Sequence, residues 1–318
     1  MSGGSERVVV VYNPRLRNLT TLTKYLRSEA DKAPGTELVM VPAEPGLEQA
    51  LAQAVRRASS VIVLGGDGLV RAAATQLIGT GIPLGVVPSG TGNLLARNLH
   101  LPLAETRKAM RIAWSGTPHL IDAGRATVHG VGFDETHVFT VMTGVGLDAA
   151  MAAEANFVQK KRFGWLAYVA PIVRSIVRNN QHHMELKLDD RKPVSLKAHT
   201  AIVGNCGTLT ANLLLLPDAQ LTDGKLDVVV LNPKAITGWT RIWSRVALSG
   251  ALVRSRPGRV LLRAAPPMSA VQYGQFRRLE IKFAHAQPVQ IDGDVVGDAS
   301  SVEVEVLPAS LVVRVART

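Results

Sequence analysis

Two glycine-rich turns are the clearest chemical signal in this 318-residue sequence. The first, Gly-Gly-Asp-Gly at 65–68, and the second, Pro-Ser-Gly-Thr-Gly-Asn at 88–93, each follow an apolar run and precede a helix-like segment. Glycines let backbone N–H groups approach an anion closely, and a helix N-terminus adds favourable potential. The pair therefore predicts a site for nucleotide phosphates, with Asp67 orienting Mg²⁺ or its water.

Polar residues around these turns extend the predicted nucleotide site. Asn13 follows the apolar run at 8–12, and Arg97 falls one turn into the helix expected after the second turn. The alternatives are a tight turn with a helix-capping Asp67 and an ordinary surface position for Arg97. The predicted nucleotide contacts are Asn13, Gly65, Gly66, Asp67, Gly68, Gly90, Thr91, Asn93 and Arg97.

Two acidic groups lie later in the chain. Ile-Asp-Gly-Asp at 291–294 predicts Asp292 as a general base, with Asp294 orienting it or binding a cation. An Asp-Gly pair also signals a hairpin turn, so that interpretation stays open. The acidic residues between 218 and 227 have the oxygen density of a Mg²⁺ or Ca²⁺ site, with Asp218 and Asp223 as predicted ligands. A solvated turn is the alternative there.

The elements that must position these residues change character near residue 122. Before it, strand-like runs near 8–12, 37–41, 61–64 and 83–87 alternate with helical segments near 20–30, 46–58 and 69–78. Unbroken β-branched runs are typical of parallel strands that are covered on both faces. The pattern predicts an open α/β domain with a mainly parallel sheet, whose ligands bind beyond the carboxyl ends of the strands. Both glycine turns fall at those ends.

The remainder of the chain reads as a β-rich domain. Short strand-like runs separated by turn residues predict a largely antiparallel sandwich, interrupted by helices at 163–178 and 238–253. The predicted domains are therefore 1–123 and 124–308. The predicted strands of the second domain lie near 138–142, 184–188, 199–203, 226–231, 260–262, 278–283 and 302–306.

The amino-acid composition favours some classes of binding partner over others. A formal net charge of +11 favours anionic partners, while an aromatic content of 4% disfavours nucleic acid, which proteins bind by stacking. A single cysteine, Cys206, excludes an internal disulfide and fits a reducing compartment. Since neither a signal peptide nor a membrane-spanning run is recognisable, we expect a cytoplasmic protein. The two predicted helices of the β-rich domain mix aromatic and basic residues; core packing explains most such faces, and peripheral contact with an anionic membrane, which the net charge of +11 favours, is the alternative.

These motifs, in this order, resemble the diacylglycerol kinase catalytic family, which includes sphingosine kinases and bacterial soluble lipid kinases and shares a superfamily with NAD kinases. Tyr-Asn-Pro at 12–14, Gly-Val-Gly-Leu-Asp-Ala at 144–149 and Pro-Asp-Ala at 217–219 also match its pattern. The resemblance implies an ATP site in a cleft between the two domains, Mg²⁺, a lipid alcohol as acceptor and Asp292 as the base. It also implies a structural Mg²⁺ near 218–227 and a return of 311–315 to the first domain, so that 309–318 complete it.

The sequence departs from the family pattern at four places. Leu69 stands where a threonine or serine is usual, and Asp294 stands where the family has glutamate. Arg-Leu-Arg-Asn at 15–18 replaces a serine-glycine turn, and Leu-Thr-Ala-Asn at 209–212 replaces a glycine cluster. The prediction is an ATP- and Mg²⁺-dependent kinase for diacylglycerol or a related lipid alcohol in phospholipid biosynthesis, with a homodimer left open. A catalytically degenerate relative that binds nucleotide or anionic lipid is the alternative. An NAD kinase is disfavoured, because the Asn-Glu dipeptide of that group is absent.

Overall fold

A computed structural model describes residues 6–146, 181–210, 213–232 and 271–317. The chain divides into two compact units, which we describe separately. Unit 1 comprises Met1–Ile121 and Ala309–Thr318, and unit 2 comprises Asp122–Pro308. The helices expected at 163–178 and 238–253 and the strand expected at 260–262 lie outside the described residues, as do residues 147–149 of one family motif.

Unit 1 is an α/β layer structure, as its sequence predicts. Its sheet has the strand order β14 (Asp294–Val315), β4 (Leu84–Pro88), β3 (Ser60–Gly65), β1 (Arg7–Tyr12) and β2 (Glu37–Pro42), and all of its strand pairs are parallel. The final residues of the chain join this sheet, because Val313 of the last strand pairs with Leu84. The elements are β1 (Arg7–Tyr12), α1 (Leu19–Asp31), β2 (Glu37–Pro42), α2 (Leu47–Val55), β3 (Ser60–Gly65), α3 (Asp67–Leu77), β4 (Leu84–Pro88), α4 (Leu94–Asn98) and α5 (Thr106–Ser115).

Valine- and isoleucine-rich runs form these central strands because both of their faces are covered. Every residue of β3 is buried, and so are the four valines of β1. Helix α1 contributes Leu22 and Leu26 to the same apolar core. Burial of each such side chain contributes about 1.5–3 kcal/mol to the stability of this layer.

Unit 2 is an antiparallel β structure. Neighbouring strands follow the order β12-β11-β10-β7-β13-β14, β8 pairs with β13 and β9, and β5 pairs with β6. Its core contains the buried rings of Phe139 and Phe276. The strands are β5 (Thr117–Gly130), β6 (Asp134–Phe139), β7 (Met142–Gly146), β8 (His182–Leu188), β9 (Val194–Ala198), β10 (Thr200–Gly204), β11 (Leu226–Leu231), β12 (Val271–Phe276), β13 (Arg278–Ile291) and β14 (Asp294–Val315).

One predicted strand is wrong in a way that matters for the site. The apolar run at 138–142 is divided between β6, which ends at Phe139, and β7, which begins at Met142. Thr140 and Val141 form the break, and both are buried. Strands β5, β9 and β12 were not expected from the sequence, and β13 and β14 extend well beyond their apolar runs. Within the described ranges, no helix combines the length and apolar character needed to cross a bilayer.

Candidate functional site

The glycine turns and Asn13 lie at one edge of the parallel sheet in unit 1. Tyr12 of β1 pairs with Leu64 of β3, and Gly65 pairs with Pro88 of β4, so the three strands end in register. The backbone N–H of Ser89 donates to Gly65 O at 2.9 Å, which ties the second turn to the first. The sequence prediction that these turns meet at the carboxyl edge of the sheet is thus consistent with the strand register.

Gly66 and Gly90 bring the two turns into backbone contact. A Cβ atom on Gly90 would lie 2.6 Å from Gly66 Cα, and one on Gly66 would lie 3.1 Å from Gly90 Cα. The packing of one turn on the other therefore requires glycine at 90 and leaves little room for a side chain at 66. Gly68 differs, because a Cβ atom there would meet nothing within 4 Å. Gly68 is exposed at the start of α3, so its surface is open to a ligand.

Asp67 bridges the two turns. Its Oδ1 accepts the backbone N–H of Leu94 at 2.6 Å, and a Cβ atom on Gly92 would lie 2.6 Å from its Oδ2. Burial raises the pKa of Asp67, while the backbone N–H groups at the start of α4 oppose that rise. Asp67 therefore caps a helix, as the alternative interpretation proposed, although the helix is α4 and not its own.

Asn93 and Arg97 also bind the second turn from within. Asn93, at φ +49°, accepts the N–H of Gly90 on Oδ1 at 2.9 Å and donates from Nδ2 to Gly90 O at 2.8 Å. Arg97 Nε donates to Gly92 O at 2.8 Å. The sequence predicted ligand contacts for both side chains, whereas the structure shows them holding the loop. Thr91 is exposed, and so is Asn13, whose Oδ1 accepts the N–H of Arg15 at 2.9 Å.

The acidic residues at 291–294 form the hairpin turn that was one interpretation of their sequence, and the general-base role of Asp292 stays a prediction. Asp292 and Gly293 have φ values of +47° and +92°, and they form a two-residue turn between the paired residues Ile291 and Asp294. Positive φ at both central residues is the geometry that favours Asp-Gly in hairpins. The turn directs the Asp292 side chain to a separate part of the chain, while Asp294 is exposed at the start of β14.

Three backbone N–H groups hold the Asp292 carboxylate. Oδ1 accepts from Val141 at 3.0 Å and from Met142 at 2.8 Å, and Oδ2 accepts from Thr140 at 3.0 Å. The Thr140 hydroxyl is a fourth, longer donor at 3.4 Å from Oδ2. The break between β6 and β7 thus forms an anion-binding nest, which we call the 140–142 nest. Sequence reasoning missed it, because an apolar run gives no sign that its peptide groups point toward a distant carboxylate.

The third acidic group brings Asp218 and Asp223 close enough to act electrostatically on Asp227. The pKa of Asp227 is raised to about 6, mainly by burial and also by the charges of Asp223 and Asp218, while a hydrogen bond from Gln275 opposes the rise. Across the described part of the chain, no set of three or more histidine, cysteine, aspartate or glutamate side chains is arranged to hold a metal ion. The magnesium ligands Asp218 and Asp223 therefore stay a prediction.

Comparison with known families supports the sequence-based resemblance. A model of the diacylglycerol kinase catalytic domain matches residues 7–126, and a model of the YegS C-terminal NAD kinase beta sandwich-like domain matches residues 141–315. The chain belongs to this family. The two matched ranges agree with the observed parallel α/β layer followed by an antiparallel β domain.

Individual relatives agree with the family. Two Mycobacterium tuberculosis proteins named diacylglycerol kinase, from strains CDC 1551 / Oshkosh and ATCC 25618 / H37Rv, are 30% identical over 200 residues. Each match covers 62% of this chain and 62% of the relative's own length. A solved diacylglycerol kinase from Bacillus anthracis str. Sterne has a TM-score of 0.68 at 18% identity, covering 98% of this chain and 97% of its own.

A more distant structure shows the same architecture. Yeast NADH kinase complexed with NADH has a TM-score of 0.59 at 10% identity, covering 100% of this chain and 85% of its own. At these identities the solved structures show a shared fold. The predicted NAD kinase-like fold is confirmed.

The raised pKa of Asp227 predicts a pH-dependent stability effect. Because the folded protein binds a proton at Asp227 more tightly than the unfolded chain does, the ionised group destabilises the fold fully above pH 6. The substitution Asp227→Asn should therefore raise the free energy of unfolding at pH 8 by about 1–2 kcal/mol, and the gain should shrink toward pH 4. Urea unfolding in EDTA measures it, with Asp190→Asn at an exposed carboxylate as the control. A gain that is independent of pH contradicts this account.

Proposed function

We propose that this protein is an ATP- and Mg²⁺-dependent kinase that transfers the γ-phosphate to a hydroxyl of diacylglycerol or a related lipid alcohol. The observation that carries the proposal is the Asp292 carboxylate, held by three backbone N–H groups, in a chain of the diacylglycerol kinase family. A base that must meet a substrate hydroxyl gains from a fixed position, since misplacement by about 1 Å can cost about 100-fold in rate.

The nucleotide half of the proposal assigns the phosphates to the two glycine turns. Backbone N–H groups around Gly68 and Thr91 bind the phosphate oxygens, because both residues are exposed at the carboxyl edge of the sheet. Asp67, Asn93 and Arg97 keep the second turn in place through the bonds described above. This division of roles explains why polar side chains in a phosphate-binding turn are directed toward its own backbone.

The acceptor half of the proposal assigns the proton to Asp292. As the lipid hydroxyl oxygen forms its bond to the γ-phosphorus, its proton moves to Oδ2 of Asp292 and ADP departs with the β-phosphate oxygen. The Thr140 hydroxyl, at 3.4 Å from Oδ2, makes the longest hydrogen bond to this carboxylate, and the substrate hydroxyl takes its place. Asp294 lies across the hairpin turn and adds negative charge beside the base.

Magnesium enters the proposal at two places. When bound with ATP, Mg²⁺ offsets the charge on the phosphate oxygens. Asp67 is the candidate to orient that ion or its water. Asp218 and Asp223 are the proposed ligands of a structural ion, which would offset the negative charge of these two carboxylates beside the buried Asp227.

A lipid-kinase assay tests the proposal directly. Purified protein is incubated with labelled ATP, Mg²⁺ and a panel of lipid alcohols, with NAD as an additional acceptor. Labelled phospholipid is the expected product, and labelled NAD would point to an NAD kinase instead. The absence of labelled lipid under all conditions would count against the kinase.

A binding protein without catalytic activity is the second candidate, favoured by Leu69. A Cβ atom on Gly65 would lie 2.7 Å from Leu69 Cδ2, so this leucine packs directly over the first turn. A hydroxyl at that place would contribute about 1 kcal/mol of net hydrogen bonding to a ligand. Saturable ATP binding without transfer to any acceptor supports this candidate, and robust transfer eliminates it.

Replacement of the proposed base, Asp292, should lower the rate of phosphoryl transfer much more than the affinity for ATP. We expect Asp292→Asn to lower kcat by about 10²–10⁴-fold, because the amide is a far weaker proton acceptor, with little change in ATP affinity. Turnover and equilibrium ATP binding are measured together, and thermal unfolding checks the fold. Asp298→Asn, at an exposed carboxylate on β14, is the matched control and should retain wild-type turnover. Near-normal turnover of Asp292→Asn would remove this residue from the base role.

Gly68 allows the nucleotide site to be tested without damage to the fold. The added methyl group of Gly68→Ala meets open space, and alanine stabilises a helix by up to about 1 kcal/mol relative to glycine. We expect unfolding stability to be unchanged or higher while the Kd for ATP rises by at least about tenfold, since the methyl group fills space that the phosphates need. Isothermal titration measures the affinity, and Thr75→Ala on the exposed face of α3 is the control. Unchanged ATP affinity in Gly68→Ala would place the phosphates elsewhere.

Two arginines support peripheral contact with an anionic membrane at the cytoplasmic face. Arg15 and Arg17 are exposed in the segment that follows β1, at the same sheet edge as the glycine turns. Leu16 between them packs against the core of unit 1, so the segment is anchored while the two guanidinium groups remain outside. Basic residues near an anionic leaflet contribute about 1 kcal/mol each.

Removal of these two charges should weaken vesicle binding. We expect Arg15→Gln with Arg17→Gln to lower affinity for anionic vesicles by about 10–30-fold at low salt, with less effect at high salt. The matched control removes Arg56 and Arg57, which are exposed ahead of β3 at the opposite edge of the same sheet. Sedimentation with anionic and neutral vesicles measures the binding. Equal losses in the two double variants, or equal binding of wild type to both vesicle types, would refute this orientation.

A further inference from the structure

The peptide groups of the 140–142 nest are held on two sides. The N–H groups of Val141 and Met142 both donate to Oδ1 of Asp292. The carbonyl groups of the same two peptides belong to Thr140 and Val141, and Asn205 contacts both of them. Because a trans peptide is planar, with its N–H and C=O pointing in opposite directions, a group that holds the carbonyl also orients the N–H.

Asn205 contacts these carbonyls with both its backbone and its side chain. Its N–H donates to Val141 O at 2.9 Å, and its Nδ2 lies 3.5 Å from Thr140 O. The same Nδ2 donates to Asp122 O at 2.7 Å, which fixes residue 205 where β10 ends. Asn205 is buried, with 1% of its surface exposed, so these contacts are shielded from water. Donation to a carbonyl also strengthens the N–H of the same peptide as a donor.

The hydrogen bonding of Asn205 argues against a purely stabilising role. Its buried Oδ1 has no hydrogen-bond partner in the part of the chain that the structure describes. Leaving a buried acceptor unsatisfied costs about 1–3 kcal/mol, which offsets much or all of the stability that the Nδ2 bond to Asp122 O contributes. The amide is retained at that cost while its donor group faces the carbonyls of Asp122 and Thr140.

We propose that Asn205 is a positioning residue for the phosphoryl-transfer reaction, which acts through the 140–142 nest to hold the Asp292 carboxylate in place. This inference rests on the proposed role of Asp292 as the base. The chain of contacts runs from Asp122 through Asn205 and two peptide groups to Oδ1, and each contact lies within unit 2.

Kinetics of Asn205 variants test this inference. Asn205→Leu keeps the backbone N–H and the branched shape of the side chain but removes Nδ2, and we expect kcat to fall by about 10–100-fold with a much smaller change in the KM for ATP. Asn205→Ala should behave in the same way, and Asn205→Ser, which retains a short donor, should recover part of the rate. Thr200→Val is the matched control, because it removes a buried side-chain bond to Val145 O on the adjacent strand pair. It should keep wild-type kcat.

A double-mutant cycle distinguishes an effect of Asn205 on kcat through Asp292 from an independent effect on the structure. If Asn205 acts through Asp292, Asn205→Leu should cause little further loss of kcat when Asp292→Asn is already present. The inference is overturned if the loss of kcat in the double variant equals the product of the losses in the two single variants. It is also overturned if both Asn205→Leu and Asn205→Ala keep wild-type kcat. Should the leucine variant fail to fold, the alanine and serine variants decide by the same criteria. Near-normal turnover of Asp292→Asn contradicts the base role itself, whereas a slow Asp292→Asn beside fast Asn205 variants contradicts only this inference.

Discussion

The anchoring of one carboxylate by three backbone N–H groups is the constraint around which unit 2 is organised. Asp292 lies in a two-residue turn with positive φ. Its carboxylate oxygens accept hydrogen bonds from backbone N–H groups at the break between β6 and β7. The hairpin turn alone could not hold the carboxylate, because a continuous strand at 138–142 would use its N–H groups in hydrogen bonds to neighbouring strands. The hairpin and the interrupted strand therefore depend on each other, and β7 joins them by pairing with β13.

A different contact organises unit 1. The backbones of Gly66 and Gly90 touch, so the two turns at the edge of the sheet form one surface and not two separate loops. Asp67 reinforces the contact by capping α4, and Asn93 closes the second turn on itself. Polar side chains thus fix the backbone, which leaves the exposed positions of Gly68 and Thr91 for a ligand. Glycine has two uses here, close packing at 66 and 90 and open access at 68.

The same principle appears in both units. Side chains that look chemically active in the sequence are largely used to hold main-chain N–H groups in place. Asp67 and Asn93 do so for the glycine turns, while Asn205, which no sequence motif singled out, contacts the carbonyl groups of two peptides in the 140–142 nest. A site built from backbone groups tolerates changes in nearby side chains, which is consistent with the departures at Leu69 and Asp294 from the family pattern.

Local sequence pattern determined much of this protein. Apolar β-branched runs without polar alternation defined the strands of unit 1, and the two glycine turns at their ends placed the candidate nucleotide residues at one edge, because parallel strands end together. The antiparallel character of the second half was also recognisable. Tertiary structure alone decided where Asp67 and Asp292 direct their carboxylates and that the backbones of Gly66 and Gly90 are in contact. It also decided that Asn205 contacts the carbonyl groups of the 140–142 nest. The physical reason is separation along the chain: Asp292 is 150 residues from Met142, and periodicity within a window of ten or so residues carries no information about such a contact.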